Sequence, residues 1–269
     1  MADLRIGVMG AGGRMGGAVI RQVTDTAGMA VAAACEGPGA SALGRDAGEV
    51  AGIGRLGVAV GADAAQLFAS SDVVIEFSTP AATLDHAMLA AAKGVAHVIG
   101  TTGLDDKARA ALAEAAKRIA IVHAPNMSLA VNLLFALTRQ VAATLDAEFD
   151  IEIVEMHHRH KVDAPSGTAL ELGRRAAEGR RVKLDQVARM TREGQVGARK
   201  TGEIGFATLR GGDVVGDHTV IFAADGERLE LGHKAASRQI FARGAVHAAR
   251  WAHGKKPGLY SMADVLGLS

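Results

Sequence analysis

A cluster of basic side chains near the middle of the sequence has the composition of an anion-binding site. Residues 157–161 (HHRHK) comprise three histidines, an arginine and a lysine. The cluster follows an apolar segment and leads through residues 163–168 (DAPSGT) to a helix-like segment. The N–H groups at the start of a helix bind anions, and a histidine can donate a proton near neutral pH. The cluster therefore predicts a site that binds and protonates a small acidic molecule.

Two other interpretations of the basic cluster remain open from the residues alone. Clustered histidines often bind a metal, but here cations stand among the imidazoles, and cysteine or carboxylate ligands are missing at a convincing spacing. A solvated basic loop is the second interpretation. The backbone donors and hydroxyls of Ser166, Gly167 and Thr168 favour the anion site, and no metal site is predicted.

A glycine-rich loop near the start predicts a second site. Residues 10–16 (GAGGRMG) connect an apolar strand to a helix, with glycines spaced G-x-x-G-x-x-G. Such a turn brings backbone N–H groups and a helix start against a pyrophosphate, although a plain tight turn has the same appearance. Glu36 ends the next strand, where a carboxylate accepts hydrogen bonds from the hydroxyls of an adenosine ribose. Loop and carboxylate together predict a dinucleotide site.

The residues around Glu36 also indicate which dinucleotide binds. A 2′-phosphate usually requires a nearby arginine, and residues 35–39 (CEGPG) contain none. The cofactor is therefore expected to be NADH. NADPH remains possible because Arg45 or Arg55, on a glycine-rich loop, can reach a phosphate.

Two further loops follow strands of the same region. Residues 100–103 (GTTG) and 124–127 (APNM) each come directly after an apolar strand-like segment. Ligands of open α/β sheets bind at the carboxyl ends of the strands. Both loops are candidates for cofactor contacts, and each is equally compatible with a plain turn.

Strand-like and helix-like segments alternate through the first half of the chain. The predicted strands are 4–9, 29–35, 73–77, 95–99 and 119–123, and the predicted helices are 14–27, 81–93 and 105–118. This alternation predicts a parallel sheet covered on both faces. Residues 1–127 are thus expected to form a Rossmann-like dinucleotide-binding domain, completed by residues 236–269, which include a helix over 238–253.

The pattern changes after residue 127. Helices are predicted over 128–145 and 166–177 and a strand over 149–156. Strands over 204–210, 218–224 and 228–233 follow, separated by the turn signals 211–213 (GGD) and 225–226 (DG) with no helix between them. This order predicts an antiparallel meander. Residues 128–235 are expected to be a second, α+β domain on a mixed or antiparallel sheet, which binds substrate and forms the oligomer.

Composition excludes several classes of protein. The formal net charge is +1 and the basic residues form no long patch, so no nucleic-acid partner is expected. No signal-peptide pattern and no apolar run of a membrane span is present. Cys35 is the single cysteine, which fits a reducing compartment. The protein is expected to be cytoplasmic.

Residues 155–170 (EMHHRHKVDAPSGTAL) closely resemble the signature of the 4-hydroxy-tetrahydrodipicolinate reductases, also called dihydrodipicolinate reductases. The resemblance extends to GAGGRMG at 10–16, GTTG at 100–103, APNMS at 124–128 and TREG at 191–194. It continues through GEIGFATLRGGDVVGDHTVIF at 202–222 and covers nearly the whole chain. It implies NAD(P)H-dependent reduction of 4-hydroxy-tetrahydrodipicolinate, a small dicarboxylate, to tetrahydrodipicolinate in lysine and diaminopimelate biosynthesis.

The resemblance also implies roles for particular residues. His157 matches the proton donor of the family, and Lys161 matches the lysine that assists loss of the hydroxyl and contacts substrate. His158 matches a substrate ligand, while Gly167 and Thr168 match the pair that binds a substrate carboxylate. Because members of the family form homotetramers through the second-domain sheet, a homotetramer is expected here.

The family's cofactor contacts match residues in four parts of the chain. These residues are Gly10, Ala11, Gly12, Gly13, Arg14, Met15, Glu36, Gly100, Thr101, Thr102, Ala124, Pro125, Asn126 and Met127. The chain departs from the family at Gly37, where arginine is common. This departure supports the expected preference for NADH.

Two rival functions use the same first domain. A non-catalytic NAD-binding redox sensor would leave the basic cluster without a role. Another two-domain NAD(P)-dependent oxidoreductase, such as a sugar dehydrogenase, would share the layout but bind a different substrate.

Overall fold

The computed structural model describes residues 2–268, and these form two compact units. The first unit comprises the residues up to Leu129 together with those from Arg238 onward, and the second unit is Ala130–Ser237. The assignment of independent dinucleotide and substrate domains to these parts of the chain stays a prediction.

Secondary structure follows the chain in three stretches. The first contains β1 (Leu4–Met9), α1 (Arg14–Thr24), β2 (Met29–Cys35), α2 (Ala47–Ala51), β3 (Val60–Gly61), α3 (Ala64–Ala69), β4 (Val73–Glu76), α4 (Pro80–Lys93), β5 (Ala96–Ile99), α5 (Asp106–Ala115) and β6 (Ala120–His123). The second contains α6 (Leu129–Thr144), β7 (Asp150–His157), α7 (Gly167–Gly179), α8 (Leu184–Val187), β8 (Ala188–Arg189), β9 (Ile204–Arg210), β10 (Gly216–Ala224) and β11 (Glu227–Ala235). The third contains α9 (Gln239–Ala252), β12 (Gly258–Tyr260) and α10 (Met262–Leu266).

The first unit is built on a seven-stranded sheet in the order β12-β6-β5-β4-β1-β2-β3. Every neighbouring pair in it is parallel. The Rossmann-like parallel sheet predicted from the sequence is therefore confirmed. Because the strands are parallel, their carboxyl ends share one edge, and the loops after β1, β4, β5 and β6 all begin there.

Apolar layers cover both faces of this sheet. On one face, Ile6, Val8 and Ile75 pack with the buried residues of α1 and α9. On the other face, Val74 and Ile99 pack in a layer with residues of α3, α4 and α5. Fully burying a side chain of this size stabilises the fold by about 1.5–3 kcal/mol. Successive strand residues point to opposite layers, so Glu76, two residues after Val74, points into the layer of α3, α4 and α5.

Helix α9, which follows the second unit in the sequence, packs on the first unit. Helix α9 contacts α1 and strands β4, β5 and β6. Gly244 lets it approach the backbone closely, because a Cβ there would lie 1.7 Å from the carbonyl oxygen of Met127. Strand β12 then adds to the edge of the sheet beside β6. Strand β12 and helix α9 thus belong to the same sheet and layer as the elements of the first stretch.

The second unit contains a five-stranded mixed sheet in the order β11-β10-β7-β9-β8. Strand β10 is antiparallel to β7 and β11, whereas β9 is parallel to β7 and β8. The two-residue turn Asp225-Gly226 joins β10 to β11, with Gly226 at φ 84°, as a hairpin of this kind requires. The predicted mixed-sheet class and this hairpin are confirmed.

The predicted antiparallel meander is wrong, because β7 lies between β9 and β10. Helix α7 follows β7, so the chain crosses back over the sheet and β9 enters parallel to β7. The turn at 211–213 leads the chain past β7 instead of forming a hairpin. Strand β7 fits this central place because its alternate residues Ile151 and Ile153 are buried with Phe206 and Phe222 under α7.

Within residues 2–268, the helices are all too short or too polar to span a bilayer.

Candidate active site

A buried carboxylate and a histidine lie at the end of β7 on its covered face. Glu155 and His157 continue the alternation of Ile151 and Ile153, so both point towards the side covered by α7. The Nδ1 atom of His157 is 2.6 Å from Oε2 of Glu155, and the two side chains are 11% and 1% exposed. A carboxylate only accepts hydrogen bonds, so Nδ1 carries the proton of this bond. The second ring nitrogen, Nε2, is thereby left for other chemistry.

Glu155 is held by two further groups. Arg210 of β9 donates from Nη1 to Oε2 (2.8 Å) and from Nη2 to Oε1 (3.0 Å), and the backbone N–H of Ser166 donates to Oε1 (3.0 Å). Burial alone would raise the pKa of Glu155, but hydrogen bonds from Arg210, His157 and Ser166 lower it. Glu155 is therefore a carboxylate at neutral pH, with fixed orientation.

His218 of β10 lies beside His157. It pairs with Glu155 across the strands, and its ring meets that of His157 edge-on, with centroids 5.1 Å apart. Its Nε2 lies 2.9 Å from Oγ of Ser166. Burial, with a smaller contribution from the charge of His157, lowers the pKa of His218 to about 4. This histidine is therefore neutral at physiological pH.

Gly216 provides the space for the His157 ring. A Cβ at this position would lie 2.9 Å from Nε2 of His157. Any side chain here would crowd the nitrogen that Glu155 leaves available. The glycine is therefore required by the ring that it faces and not by its backbone conformation.

The structure places the start of α7 next to this pair. Ser166 is the N-cap, and its Oγ accepts a hydrogen bond from the N–H of Ala169 (3.1 Å) while its own N–H binds Glu155. Gly167 is exposed and Thr168 is partly buried in the first turn. The first turn contains no acidic residue, so the helix dipole favours an anion at this end.

Lys161 and His158 lie on the loop between β7 and α7. The Nζ atom of Lys161 is 2.8 Å from Oδ1 of Asp163, and the lysine lowers the pKa of that exposed carboxyl. The backbone N–H of Lys161 donates to the carbonyl of His158 (3.1 Å), and the N–H of His158 donates to the carbonyl of Val214 (2.7 Å). The second unit thus holds the predicted proton donor, lysine and helix start on one strand-to-helix connection.

The glycine-rich loop has the geometry that a pyrophosphate needs. Gly10 has φ 76°, and a Cβ at Gly16 would lie 2.0 Å from the carbonyl oxygen of Gly10. Among residues 2–268, no side chain caps the start of α1, and its first turn contains no acidic residue. The helix begins at Arg14. Backbone N–H groups and the positive end of the helix dipole therefore face this loop, and the start of α1 itself has no acidic cap among the described residues.

Glu36 contacts the same loop. Its Oε1 accepts a hydrogen bond from the N–H of Gly12 (2.8 Å), and its Oε2 accepts one from the N–H of Gly37 (3.0 Å). The carboxylate thus fixes the glycine-rich loop against the end of β2.

The loops after β5 and β6 combine buried and exposed residues at the same sheet edge. Gly100 lies against the ring of Phe77, where a Cβ would be 2.1 Å from Cε1. Thr101 is buried, Thr102 is exposed, and Oδ1 of Asn126 accepts a hydrogen bond from the N–H of Ser128 (2.9 Å). Further along, Ala124 and Met127 are buried and Pro125 is exposed. The predicted cofactor residues of the first unit therefore share one edge, although their contacts with a dinucleotide stay a prediction.

Sequence reasoning missed Glu155, Arg210, His218 and Gly216. Glu155 stands two positions before His157, so period-two alternation on the predicted strand was a usable signal. His218 and Arg210 come from strands whose neighbours were predicted incorrectly. Their place beside His157 depends on the central position of β7.

No cluster of three or more histidine, cysteine, aspartate or glutamate side chains in the described chain has a geometry that holds a metal ion.

Comparison with known proteins gives matches along the whole chain. The family model "Dihydrodipicolinate reductase, N-terminus" matches residues 4–127, and "Dihydrodipicolinate reductase, C-terminus" matches residues 130–266. A Rhodopseudomonas palustris (strain BisB5) protein named 4-hydroxy-tetrahydrodipicolinate reductase is 56% identical over 269 residues, covering 100% of this chain and 99% of the relative. A Parvibaculum lavamentivorans protein of the same name is 58% identical over 268 residues, covering 99% of each chain.

A solved structure supports the fold. The dipicolinate-bound dihydrodipicolinate reductase from Paenisporosarcina sp. TG-14 superimposes with a TM-score of 0.78 over 97% of this chain and 98% of its own. Its sequence identity is 24%, so this likeness concerns the architecture alone.

Proposed function

Because the chain belongs to the dihydrodipicolinate reductase family, we propose that it reduces 4-hydroxy-tetrahydrodipicolinate to tetrahydrodipicolinate in lysine and diaminopimelate biosynthesis. The observation that carries the proposal is the buried Glu155–His157 pair beside the helix start of Ser166, Gly167 and Thr168. This arrangement combines a proton donor with an anion site. The anion site would bind the carboxylates of the substrate, and the proton donor would complete its reduction.

The overall change is a dehydration followed by a reduction. The substrate loses its hydroxyl and a hydrogen of the adjacent ring carbon as water, and the C=C bond that forms makes the ring conjugated and unsaturated. When bound, reduced nicotinamide dinucleotide supplies a hydride to this ring. Electron density moves towards the ring imine, and the enamine-like carbon that results takes up a proton. One water leaves, and one hydride and one proton are added.

His157 is the proton donor in this scheme. Glu155 binds Nδ1, so Nε2 is the ring nitrogen left to pass a proton to the substrate. Gly216 leaves space at Nε2, and neutral His218 adds no competing charge beside it. A positioned general acid of this type contributes about 10²–10⁴ in rate.

The cationic loop performs the remaining steps of the proposed mechanism. Lys161 assists departure of the hydroxyl by supplying a proton and also binds a substrate carboxylate. The N–H groups of Gly167 and Thr168, at the start of α7, bind a carboxylate together with His158. Donors held in place before the reaction stabilise developing negative charge without reorganisation.

The cofactor is proposed to be NADH in preference to NADPH. Glu36 faces the glycine-rich loop, and Gly37 stands where an arginine would hold a 2′-phosphate. The uncapped start of α1 fits the pyrophosphate of either dinucleotide. The carboxylate of Glu36 then determines the preference at the ribose.

A homotetramer is proposed on the basis of the outer face of the mixed sheet. Val154 and Met156 alternate with the buried residues of β7 and point away from α7. They pair with Ala207 and Leu209 of β9, and Leu209 is 49% exposed. This row of partly exposed apolar side chains suits contact with a second copy, and light scattering on the purified protein would test it.

The test of the proposed function is a coupled assay. Substrate is made from pyruvate and aspartate semialdehyde by the preceding synthase, and loss of reduced-nicotinamide absorbance is followed with NADH and NADPH in parallel. Oxidation that requires the synthase supports the reductase. NADH binding without oxidation would instead support a redox sensor, and failure to bind pyridine-2,6-dicarboxylate would favour a dehydrogenase of another substrate class.

A further inference from the structure

A charged cluster is buried inside the first unit, just below the edge of the parallel sheet. Glu76, the last residue of β4, is fully buried among the apolar residues of its layer. Its Oε1 is 2.7 Å from Nδ1 of His86, and its Oε2 is 2.8 Å from Nε2 of His97. His97 is fully buried and meets Phe68 edge-on at 5.4 Å between ring centroids.

Glu76 is ionised in this layer. Burial alone would raise the pKa of Glu76, but hydrogen bonds and charge from His86 and His97 hold it well below its usual range. A buried ion pair is rarely more stable than well-packed apolar side chains of the same volume. The charge therefore requires an explanation other than stability of the layer.

The carboxylate also binds the loops that follow two strands. Oε1 of Glu76 accepts hydrogen bonds from Oγ of Ser78 and, at 3.1 Å, from Oγ1 of Thr83. The Oγ1 atoms of Thr83 and Thr101 are 2.9 Å apart, and Thr101 Oγ1 accepts a hydrogen bond from the N–H of Ser78 (3.1 Å). Thr83 has one hydroxyl proton, so donating it to the carboxylate leaves its oxygen to accept from Thr101. A chain of hydroxyl groups thus runs from Thr101 through Thr83 to Glu76.

Both ends of this network belong to the cofactor edge of the sheet. Ser78 is in the loop after β4, and Thr101 is in the loop after β5, between the predicted cofactor residues Gly100 and Thr102. Phe77 packs against Gly100 in the same place. The buried carboxylate of Glu76 therefore connects the loop after β4 to the loop after β5 through hydrogen bonds.

We propose that Glu76 is a positioning residue of the dinucleotide site, which orients the loops after β4 and β5 through Ser78, Thr83 and Thr101. This inference rests on the proposed function for its ligand. Both histidines contact the carboxylate directly through a ring nitrogen, and a metal-holding geometry is missing from the described residues.

The test compares dinucleotide binding by Glu76→Gln with that of Glu114→Gln. The first substitution removes the buried charge and keeps the side-chain shape. The second makes the same change at an exposed residue of α5 that pairs with Lys117. Calorimetric titration with NADH alone should show a Kd raised about tenfold or more in Glu76→Gln, the scale of a lost charged hydrogen bond, and an unchanged Kd in the control.

Steady-state kinetics separates positioning from a general structural role. Glu76→Gln should raise the KM for NADH in proportion to the Kd and leave kcat at saturating NADH within about threefold, because the acid site lies in the other unit. Equal loss of kcat and kcat/KM, with unchanged NADH affinity in the folded variant, would overturn the proposal.

If Glu76→Gln does not fold, Thr83→Val provides the test of the positioning role. It breaks the hydroxyl chain and leaves the contacts of Glu76 with His86 and His97 in place. NADH affinity should fall about threefold to tenfold, and Thr83→Ser should restore it. A wild-type Kd in Thr83→Val would contradict the proposal. Since the titration contains no substrate, its result is independent of whether the wild-type protein oxidises NADH in the coupled assay.

Discussion

Glu155 and His157 stand two residues apart on β7, and their side chains meet at 2.6 Å between Oε2 and Nδ1 on the covered face of the sheet. A strand brings residues i and i+2 to the same face, so the pair needs no loop to assemble it. Arg210 and the N–H of Ser166 hold the carboxylate from its other sides. The proposed proton donor therefore lies on a β-strand and not on a loop.

Replacing Glu155 by glutamine should lower kcat about tenfold to a hundredfold, less than loss of the proton donor itself. The amide still reaches Nδ1 of His157 but supplies no charge, and it pairs poorly with Arg210. The affinity for NADH should be unchanged, because this site belongs to the second unit. Glu178→Gln, at an exposed residue of α7 paired with Arg175, is the control. Wild-type kcat in Glu155→Gln would refute the role of the pair.

His157→Gln and Lys161→Ala should each lower kcat by about 10² or more, the effect of removing a general acid. The Kd for NADH should stay at its wild-type value in both variants. His160→Gln, at an exposed histidine of the same loop, should retain activity. Unchanged turnover in the first two variants would exclude the proposed assignments.

His218 should make the protein less stable as the pH falls from about 6.5 to about 4. Burial lowers the pKa of His218 to about 4, whereas the unfolded chain has the ordinary value near 6.5. Between these values the unfolded state binds the extra proton, so stability that is complete above pH 6.5 is lost on acidification, by about 3 kcal/mol in total.

The check is the free energy of unfolding of His218→Gln measured against pH. Glutamine keeps a hydrogen-bonding group near Ser166 but does not titrate. The difference between wild type and His218→Gln should vary between pH 6.5 and 4 and level off outside this window. His160→Gln should follow the wild-type curve. If the unfolding free energies of wild type and His218→Gln differed by the same amount at every pH, His218 would have the same pKa in the folded and unfolded states, and the prediction would be wrong.

Gly37→Arg should shift the cofactor preference towards NADPH. The position has room, since a Cβ there would have no neighbour within 4 Å among the described residues, and its φ is not in the left-handed region. The guanidinium can pair with a 2′-phosphate, which raises the ratio of kcat/KM for NADPH over NADH by about tenfold. Gly37→Ala should leave the ratio unchanged. The same ratio in both variants would mean that the phosphate binds elsewhere.

Gly16→Ala should disrupt the dinucleotide loop, whereas Gly17→Ala should not. A Cβ at Gly16 would lie 2.0 Å from the carbonyl oxygen of Gly10, and one at Gly17 has its nearest neighbour at 3.6 Å. The first change should cost about 1–3 kcal/mol of unfolding free energy and weaken NADH binding. The second should be neutral or add up to about 1 kcal/mol through helix propensity. Equal behaviour of the two variants in denaturation and NADH titration would contradict this geometry.

The sequence predicted the parts of the fold that depend on local pattern. Strand β1, the glycine-rich loop and α1 were found because each has a periodicity of its own. The short strands β3 and β12 were missed, since two or three residues carry no period. The order of the mixed sheet was wrong because β7 takes the place beside β10, a pairing between distant segments that turn residues do not encode.

The candidate site was predictable to the same extent. His157 and Ser166 belong to one contiguous motif and were found together. His218 reaches His157 only through the pairing of β10 with β7. Glu76 resembles an ordinary strand end, because its partners His86 and His97 come from α4 and β5. Site residues that are brought together by strand register and packing cannot be predicted from the residues adjacent to them in the sequence.

The discontinuous first unit has a consequence for biosynthesis of the protein on the ribosome. Helix α9 and β12, which cover one face of the parallel sheet and extend its edge, are translated only after the whole second unit. The nascent chain therefore exposes the apolar residues of that face while the contiguous second unit is already complete. Because α9 and β12 follow the second unit in the sequence, the parallel sheet cannot be completed until that unit has been translated, and its uncovered apolar face can make non-native contacts during this interval.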